Sequence, residues 1–232
     1  MDIDLYYVEE GKGFPLILLH GNGESSRYFS SQIKFFKQRY RVIAIDTRGH
    51  GCSPEGVMPF TISQFADDLY SFMKEEKIEK AHILGFSDGG NIALIFALRH
   101  PDMVEKLVLN GANLNPGGVQ AFVQVPIIAG YLLNTCLAVF SKKAARKRDL
   151  LRLMVKEPHI PPESLQTLTM PVLVIVGNRD MIRHSHSELI CKSLPDGHMK
   201  VIPGDHFIAA KEPERFNFAV DQFLSAGDHF SR

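Results

Sequence analysis

The chain is poor in cysteine, has no excess of either charge, and opens without a basic-then-apolar leader. Three cysteines, Cys52, Cys136 and Cys191, are too few and too scattered to frame a disulfide-stapled domain. Lysine plus arginine and aspartate plus glutamate both total 26, so the formal charge is zero and no global field draws nucleic acid or an anionic surface. Met1-Asp2-Ile3-Asp4 lacks the pattern of a secretory signal. These features predict a reduced, cytoplasmic protein without a nucleic-acid partner. His184 and His186 stand two apart, but no third ligand lies near them in sequence, so no metal is expected.

What is present is an alternation. With 232 residues, 45% of them apolar, the chain can bury one large core, and the α/β class commonly reaches this length as one domain. Short apolar runs at 5–8, 15–19, 42–45, 81–84, 104–109, 172–176 and 199–202 read as strands. Helices are expected at 31–37, at 62–75, where Ile62, Phe65, Leu69, Phe72 and Met73 repeat at helical spacing, and at 91–100, where Pro101 ends the ladder. Strands alternating with helices imply right-handed crossovers and a doubly wound, mostly parallel α/β sheet of about seven strands.

Gly85-Phe86-Ser87-Asp88-Gly89-Gly90 lies between an expected strand and an expected helix. It reads as strand, sharp turn, helix. A serine at the apex of such a turn is thrust out of the sheet, and the glycines make room for strained backbone and close helix packing. Its hydroxyl is a weak nucleophile unless a base takes the proton and a third group orients that base. Candidate partners stand past other strand ends: Asp180 in Gly177-Asn178-Arg179-Asp180, and His206 in Pro203-Gly204-Asp205-His206-Phe207. Upstream, the strand at 15–19 runs into His20-Gly21-Asn22-Gly23, a turn able to aim a backbone N–H at a developing oxyanion. These strand ends meet where open parallel sheets place their sites. Asp205 competes with Asp180 as the acid, but beside His206 in sequence it would point away from the ring.

His20-Gly21-Asn22-Gly23, Asp46-Thr47-Arg48-Gly49-His50-Gly51-Cys52-Ser53, the serine turn, Asp180 and His206, in that order, resemble the pattern of the α/β-hydrolase fold family over nearly the whole chain. The resemblance implies Ser87 as nucleophile, His206 as general base and then acid, and Asp180 as the group holding the imidazole. It also implies an oxyanion hole from the N–H groups of Asn22 and Asp88, with Asn22, Phe86, Asp88 and Phe207 around the substrate. Family sheets usually have eight strands, so the short amino terminus predicts a missing or reduced first edge strand. The serine turn further resembles that of valacyclovir-hydrolase-like members, which implies that Asp88 selects a substrate ammonium. The plainer reading is electrostatic, since the helix macrodipole favours a carboxylate in the first turn.

Between Asn110 and Thr169 the alternation stops for a stretch too long to be a loop. A helical cap is expected there, dividing the chain into a core at 1–112 and 169–232 and a cap or lid at 113–168. Residues 122–140 are almost uncharged, whereas 141–156 carry Lys142, Lys143, Arg146, Lys147, Arg148 and Arg152. An apolar run followed by cations resembles a membrane-spanning helix with its flank, but Gln124, Pro126, Gly130 and Asn134 interrupt it. A cap helix packed on the core beside a solvated basic helix, forming an acyl-binding lid, is the expectation. Loose surface association is the lesser reading.

His20 is expected to brace the glycine turn rather than transfer protons. His50 and His100 are expected at the surface, and His159 is expected to make a structural contact in the cap. The chemistry implied is two-step acyl transfer from a small or medium carboxylic ester to water, with no cofactor. Serine in place of aspartate at the turn argues against dehalogenase or epoxide hydrolase chemistry. Carbon-carbon bond, lactone and amino-acid-ester hydrolases share the same triad, although the carbon-carbon relatives generally carry Asn where Phe86 stands. A ligand-sensing or partner-regulating protein is the non-enzymatic alternative. The partner expected is a small-molecule ester, with no stable membrane span, and the chain is expected as a monomer or homodimer.

Overall fold

A computed structural model describes residues 2–226. The expected core stretches extend beyond these limits, so residue 1 and residues 227–232 lie outside the described part. Seven strands form one sheet: β1 (Tyr7–Glu10), β2 (Phe14–Leu19), β3 (Tyr40–Ile45), β4 (Ala81–Phe86), β5 (Val104–Asn110), β6 (Val172–Gly177) and β7 (Gly197–Ile202). Their order is β1-β3-β2-β4-β5-β6-β7, with only β1 antiparallel to its neighbour. The edge strand β1 is four residues long.

The helices are α1 (Ser30–Phe36), α2 (Ile62–Glu75), α3 (Asp88–Arg99), α4 (Ala121–Leu137), α5 (Lys142–Lys156), α6 (His184–Ser193), α7 (Ile208–Lys211) and α8 (Pro213–Ser225). Helix α2 begins where the Thr61 hydroxyl accepts the Gln64 N–H at 3.1 Å, and α5 begins on a matching Ser141 cap. Strand periodicity of two sorts the apolar residues into two layers. Ile17, Leu19, Ile83, Leu107 and Leu109 face α2 and α3, while Leu16, Leu18, Leu84 and Val108 face α1 and α8. Burying a side chain of this kind stabilises by about 1.5–3 kcal/mol, so a sheet covered on both faces holds its strand ends firmly.

Register brings those ends into line. Leu19 pairs with Ile45 and Gly85, Phe86 with Asn110, Asn110 with Ile175, and Gly177 with Ile202. Helices α4 and α5 leave the chain between β5 and β6 and pack against each other as an antiparallel pair. Among the described residues, no helix is long and apolar enough to cross a membrane.

Candidate active site

Ser87 sits at the junction of β4 and α3 with φ +53°, a left-handed conformation that a non-glycine residue adopts only under tertiary constraint. The constraint is visible. Ser87 N–H donates to the Asn110 carbonyl at 2.8 Å, and the Gly90 and Asn91 N–H groups return to the Ser87 carbonyl. Helix α3 lies so close to β2 that a Cβ on Gly89 would stand 2.1 Å from the Leu19 carbonyl oxygen. Only glycine allows that approach. Ser87 itself remains partly exposed.

Asp180 and His206 are both buried and joined, His206 Nδ1 to Asp180 Oδ1 at 2.7 Å. Asp180 is held in turn by the Ile182 N–H at 2.9 Å and, more loosely, the Gly177 N–H at 3.4 Å. With Nδ1–H given to the carboxylate, Nε2 is the nitrogen left to accept a proton. Nε2 is buried and has no hydrogen-bond partner among the described residues, Ser87 Oγ included. Such contacts are often long in a free enzyme and close when substrate binds. Asp205, the competing acid, is turned outward to Lys211 and accepts the Phe207 N–H, as sequence adjacency predicts.

The imidazole is positioned by its neighbours as well as by its acid. Gly111, at φ +64°, lies against it so tightly that a Cβ would stand 2.6 Å from Cε1. Phe86 backs the ring on another side at 4.9 Å between centroids and stacks on Tyr28 at 4.4 Å. That corrects the expectation for Phe86: at 1% exposure it is part of the scaffold beneath His206 and does not line a substrate surface. Phe207, 39% exposed and edge-on to His206 at 5.6 Å, does face outward.

The turn after β2 approaches the serine directly, since a Cβ on Gly21 would lie 3.2 Å from the Ser87 Cβ. His20 braces it. Its Nδ1 meets the Gly21 carbonyl at 2.7 Å and its Nε2 accepts the Thr47 N–H at 3.0 Å, which fixes a neutral tautomer; burial also pushes its pKa down. In a trans peptide the carbonyl and the next N–H point opposite ways, so holding the Gly21 carbonyl aims the Asn22 N–H away from His20. Neither the Asn22 nor the Asp88 N–H is taken by a hydrogen bond to a described residue. Two such donors flanking a serine are able to hold a developing oxyanion.

Two further carboxyls lie near His206. Asp88 is buried, its Oδ1 accepts the Asn91 amide at 3.3 Å and its Oδ2 has no partner among the described residues. Burial pushes its pKa up to about 6, against the opposing pull of the Asn22 amide. Glu24, four residues after His20, has a buried and unpartnered Oε2, and burial raises it to about 7. Glu24 has no mark in the sequence, being an isolated acid in a turn. Asn91 and Asn113 form a side-chain link under Asp88 at 3.1 Å, equally invisible in a single sequence.

The helical insertion reaches this site at fixed points. The Asn22 side-chain amide donates to the Leu150 carbonyl of α5 at 2.8 Å, buried Leu153 packs near Asn22, Asp88 and Ile92, and Gln120 donates to the Asp180 carbonyl at 2.6 Å. The remaining histidines divide. His50 corrects the surface expectation: it is buried beside His20, and burial lowers its pKa to about 4. His100 is half-buried and stacks on Tyr70 at 4.2 Å, and His186 Nε2 accepts the Leu114 N–H at 2.9 Å. His159 is exposed. No metal-holding cluster of His, Cys, Asp or Glu occurs among the described residues.

Comparison with known proteins agrees with this fold. The sequence model of the alpha/beta hydrolase fold matches residues 15–159. The chain is 31% identical over 242 residues to "Putative carbamate hydrolase RutD" of Caulobacter sp. strain K31, covering 90% of each. It is 27% identical to the human serine hydrolase BPHL, covering 96% of this chain and 83% of that one. Among solved structures, a hydrolase from Pseudomonas aeruginosa PA01 superposes with a TM-score of 0.77 at 25% identity, covering 97% of this chain and 95% of the other.

Proposed function

Starting from a chain that belongs to the alpha/beta hydrolase fold family, we propose that this hydrolase cleaves small or medium carboxylic esters through an acyl-enzyme on Ser87. The observation that carries the reading is the buried Asp180–His206 pair at 2.7 Å, whose free Nε2 lies in the same cluster of strand ends as the strained Ser87. Ser87 Oγ attacks the ester carbonyl as His206 Nε2 takes its proton. Asp180 stabilises the resulting imidazolium and keeps the ring in register. The Asn22 and Asp88 N–H groups hold the tetrahedral oxyanion; removing one such donor costs about 10²–10³ in rate. His206 then protonates the departing alcohol, water enters, and the same steps in reverse order release the acid.

The helices at 113–168 act as the lid in this reading. Their contacts to Asn22 and to the Asp180 loop couple lid position to the oxyanion turn and the acid. A carbamate is the second substrate class, favoured by the unpartnered Asp88 Oδ2 beside the nucleophile, which would accept a substrate N–H. Steady-state turnover of p-nitrophenyl esters of graded chain length, with matched carbamates in parallel, tests both. Turnover of short or medium esters, lost in Ser87→Ala, supports the reading, and equal rates for wild type and Ser87→Ala refute it. Carbamates turned over faster than every ester would move the assignment to the second class.

A further inference from the structure

The face that α4 turns away from the protein is mostly apolar. Positions at helical spacing split into an inward set, Val123, Gln124, Ile127, Tyr131 and Asn134, and an outward set, Phe122, Val125, Leu132, Leu133 and Leu137. Phe122 is 71% exposed, and just past the helix Val139 and Phe140 are 80% and 89% exposed. From Ala121 to Phe140 there is not one charged residue. An outward stripe of this kind on a folded protein marks a surface made to be covered.

The charge beside it says by what. Lys142, Lys143 and Lys147 follow at the same end of the helical pair, exposed, and none forms an ion pair with a described residue. The acids that could neutralise them are committed elsewhere: Asp149 to Arg148, Glu55 to Arg146, and Glu157 to the Ile62 N–H. Apolar side chains next to unneutralised lysines match a bilayer interface, where the former enter the acyl boundary and the latter stay among anionic headgroups. A second copy fits less well, because a two-fold contact through this tip would set the lysines of both copies against each other.

We propose that the outer face of α4 and its tip, Val139 and Phe140 with Lys142, Lys143 and Lys147, dock peripherally on the surface of an anionic phospholipid bilayer. Helix α4 is too short to span, so the contact lies in the interface plane. Docking there places the face of the lid opposite its core contacts in the lipid, which would present lipophilic esters to the site.

The test is sedimentation of the full chain with vesicles of phosphatidylcholine alone or of equal parts phosphatidylcholine and phosphatidylglycerol. Binding is expected to the mixed vesicles only, and to weaken as salt is raised. Replacing Lys142, Lys143 and Lys147 together by glutamine is expected to weaken it about 100-fold, at about fivefold per lysine. Val139→Ser with Phe140→Ser is expected to abolish it while thermal unfolding stays unchanged, since both side chains are exposed. No binding to mixed vesicles, or binding indifferent to both sets of substitutions, would overturn the proposal. So would a homodimer in sedimentation velocity that Phe140→Ser dissociates, without vesicle binding, which would give this face to a second copy. Because the readout is binding, failure here leaves the assignment of Ser87 untouched, and failure of that assignment leaves this one standing.

Discussion

Leu84 in β4 and Leu133 in α4 are the same side chain in opposite surroundings: the first is fully buried among Leu16, Leu18 and Val108, and the second lies open on the outward face of its helix. The strand ends around Ser87 show the same contrast with the helical insertion above them. At the strand ends, each positioning contact is enforced from several sides, as Gly111, Phe86 and Asp180 together fix one imidazole. The insertion is one-sided: its inner residues, Leu153, Ile160, Leu165 and Leu168 among them, join the buried core, and Asn22–Leu150 and Gln120–Asp180 tie it to the site, while the outward side of α4 is open. Reaction geometry needs atoms placed to a fraction of an ångström, which packing on two faces supplies. A surface packed on one side only constrains its outward residues far less, so they can be exchanged at little cost.

Substitutions at the strand ends should therefore act on chemistry and stability far more than substitutions in the outward layer. The largest effect is expected for Asp180→Asn, which keeps the shape but reverses the tautomer His206 must hold: kcat should fall about 10⁴-fold in a protein that still folds. A loss under tenfold in ester kinetics would mean that Asp180 is not the orienting acid. Next, Leu84→Ala should destabilise by about 2–5 kcal/mol in chemical denaturation, the cost of a cavity between β4 and its neighbours.

Asp88→Asn sharpens the contrast within the site itself. The folded state holds this carboxyl up at about 6, so its contribution to stability is full in acid, below the range where an unfolded aspartate ionises, and is lost as pH rises through about 6. The substitution should then stabilise the protein by about 1–3 kcal/mol at pH 8, and the gain should vanish in acid. A gain that does not change with pH would show that burial of charge is not its cause. If Asp88 also selects ammonium groups, the same variant should lose far more turnover on α-amino esters than on neutral ones. Smallest of all, Leu133→Ala should shift stability by less than about 0.5 kcal/mol. A change as large as that at Leu84 would collapse the distinction between the two regions.

The fold was legible because its signals are periodic. Apolar runs flanked by turn residues marked the seven strands to within a few residues, and Ile62, Phe65, Leu69 and Met73 fixed the extent of α2. Ser87, Asp180 and His206 could be singled out as candidates because each follows a strand at its carboxyl end, which is where the structure places them. Other features depend on where a turn folds back, which no periodicity encodes. His50 looked like a surface turn residue yet packs against His20, and Phe86 looked like a pocket residue yet supports His206 from beneath. Glu24 is the clearest case, an acid in a turn that folding places within electrostatic reach of His206. The apolar and basic character of the insertion could be read from the chain, but which residues face outward needed the helix pair in three dimensions.

In the proposed mechanism, burial, one carboxylate and one imidazole make a single hydroxyl reactive among all the serines of the chain. Labelling with a fluorophosphonate, read by peptide mass spectrometry, reports which serine that is. Covalent modification is expected on Ser87, absent in Ser87→Ala and strongly slowed in Asp180→Asn. Modification of a different serine, or an unlabelled Ser87 in a folded protein, would contradict it.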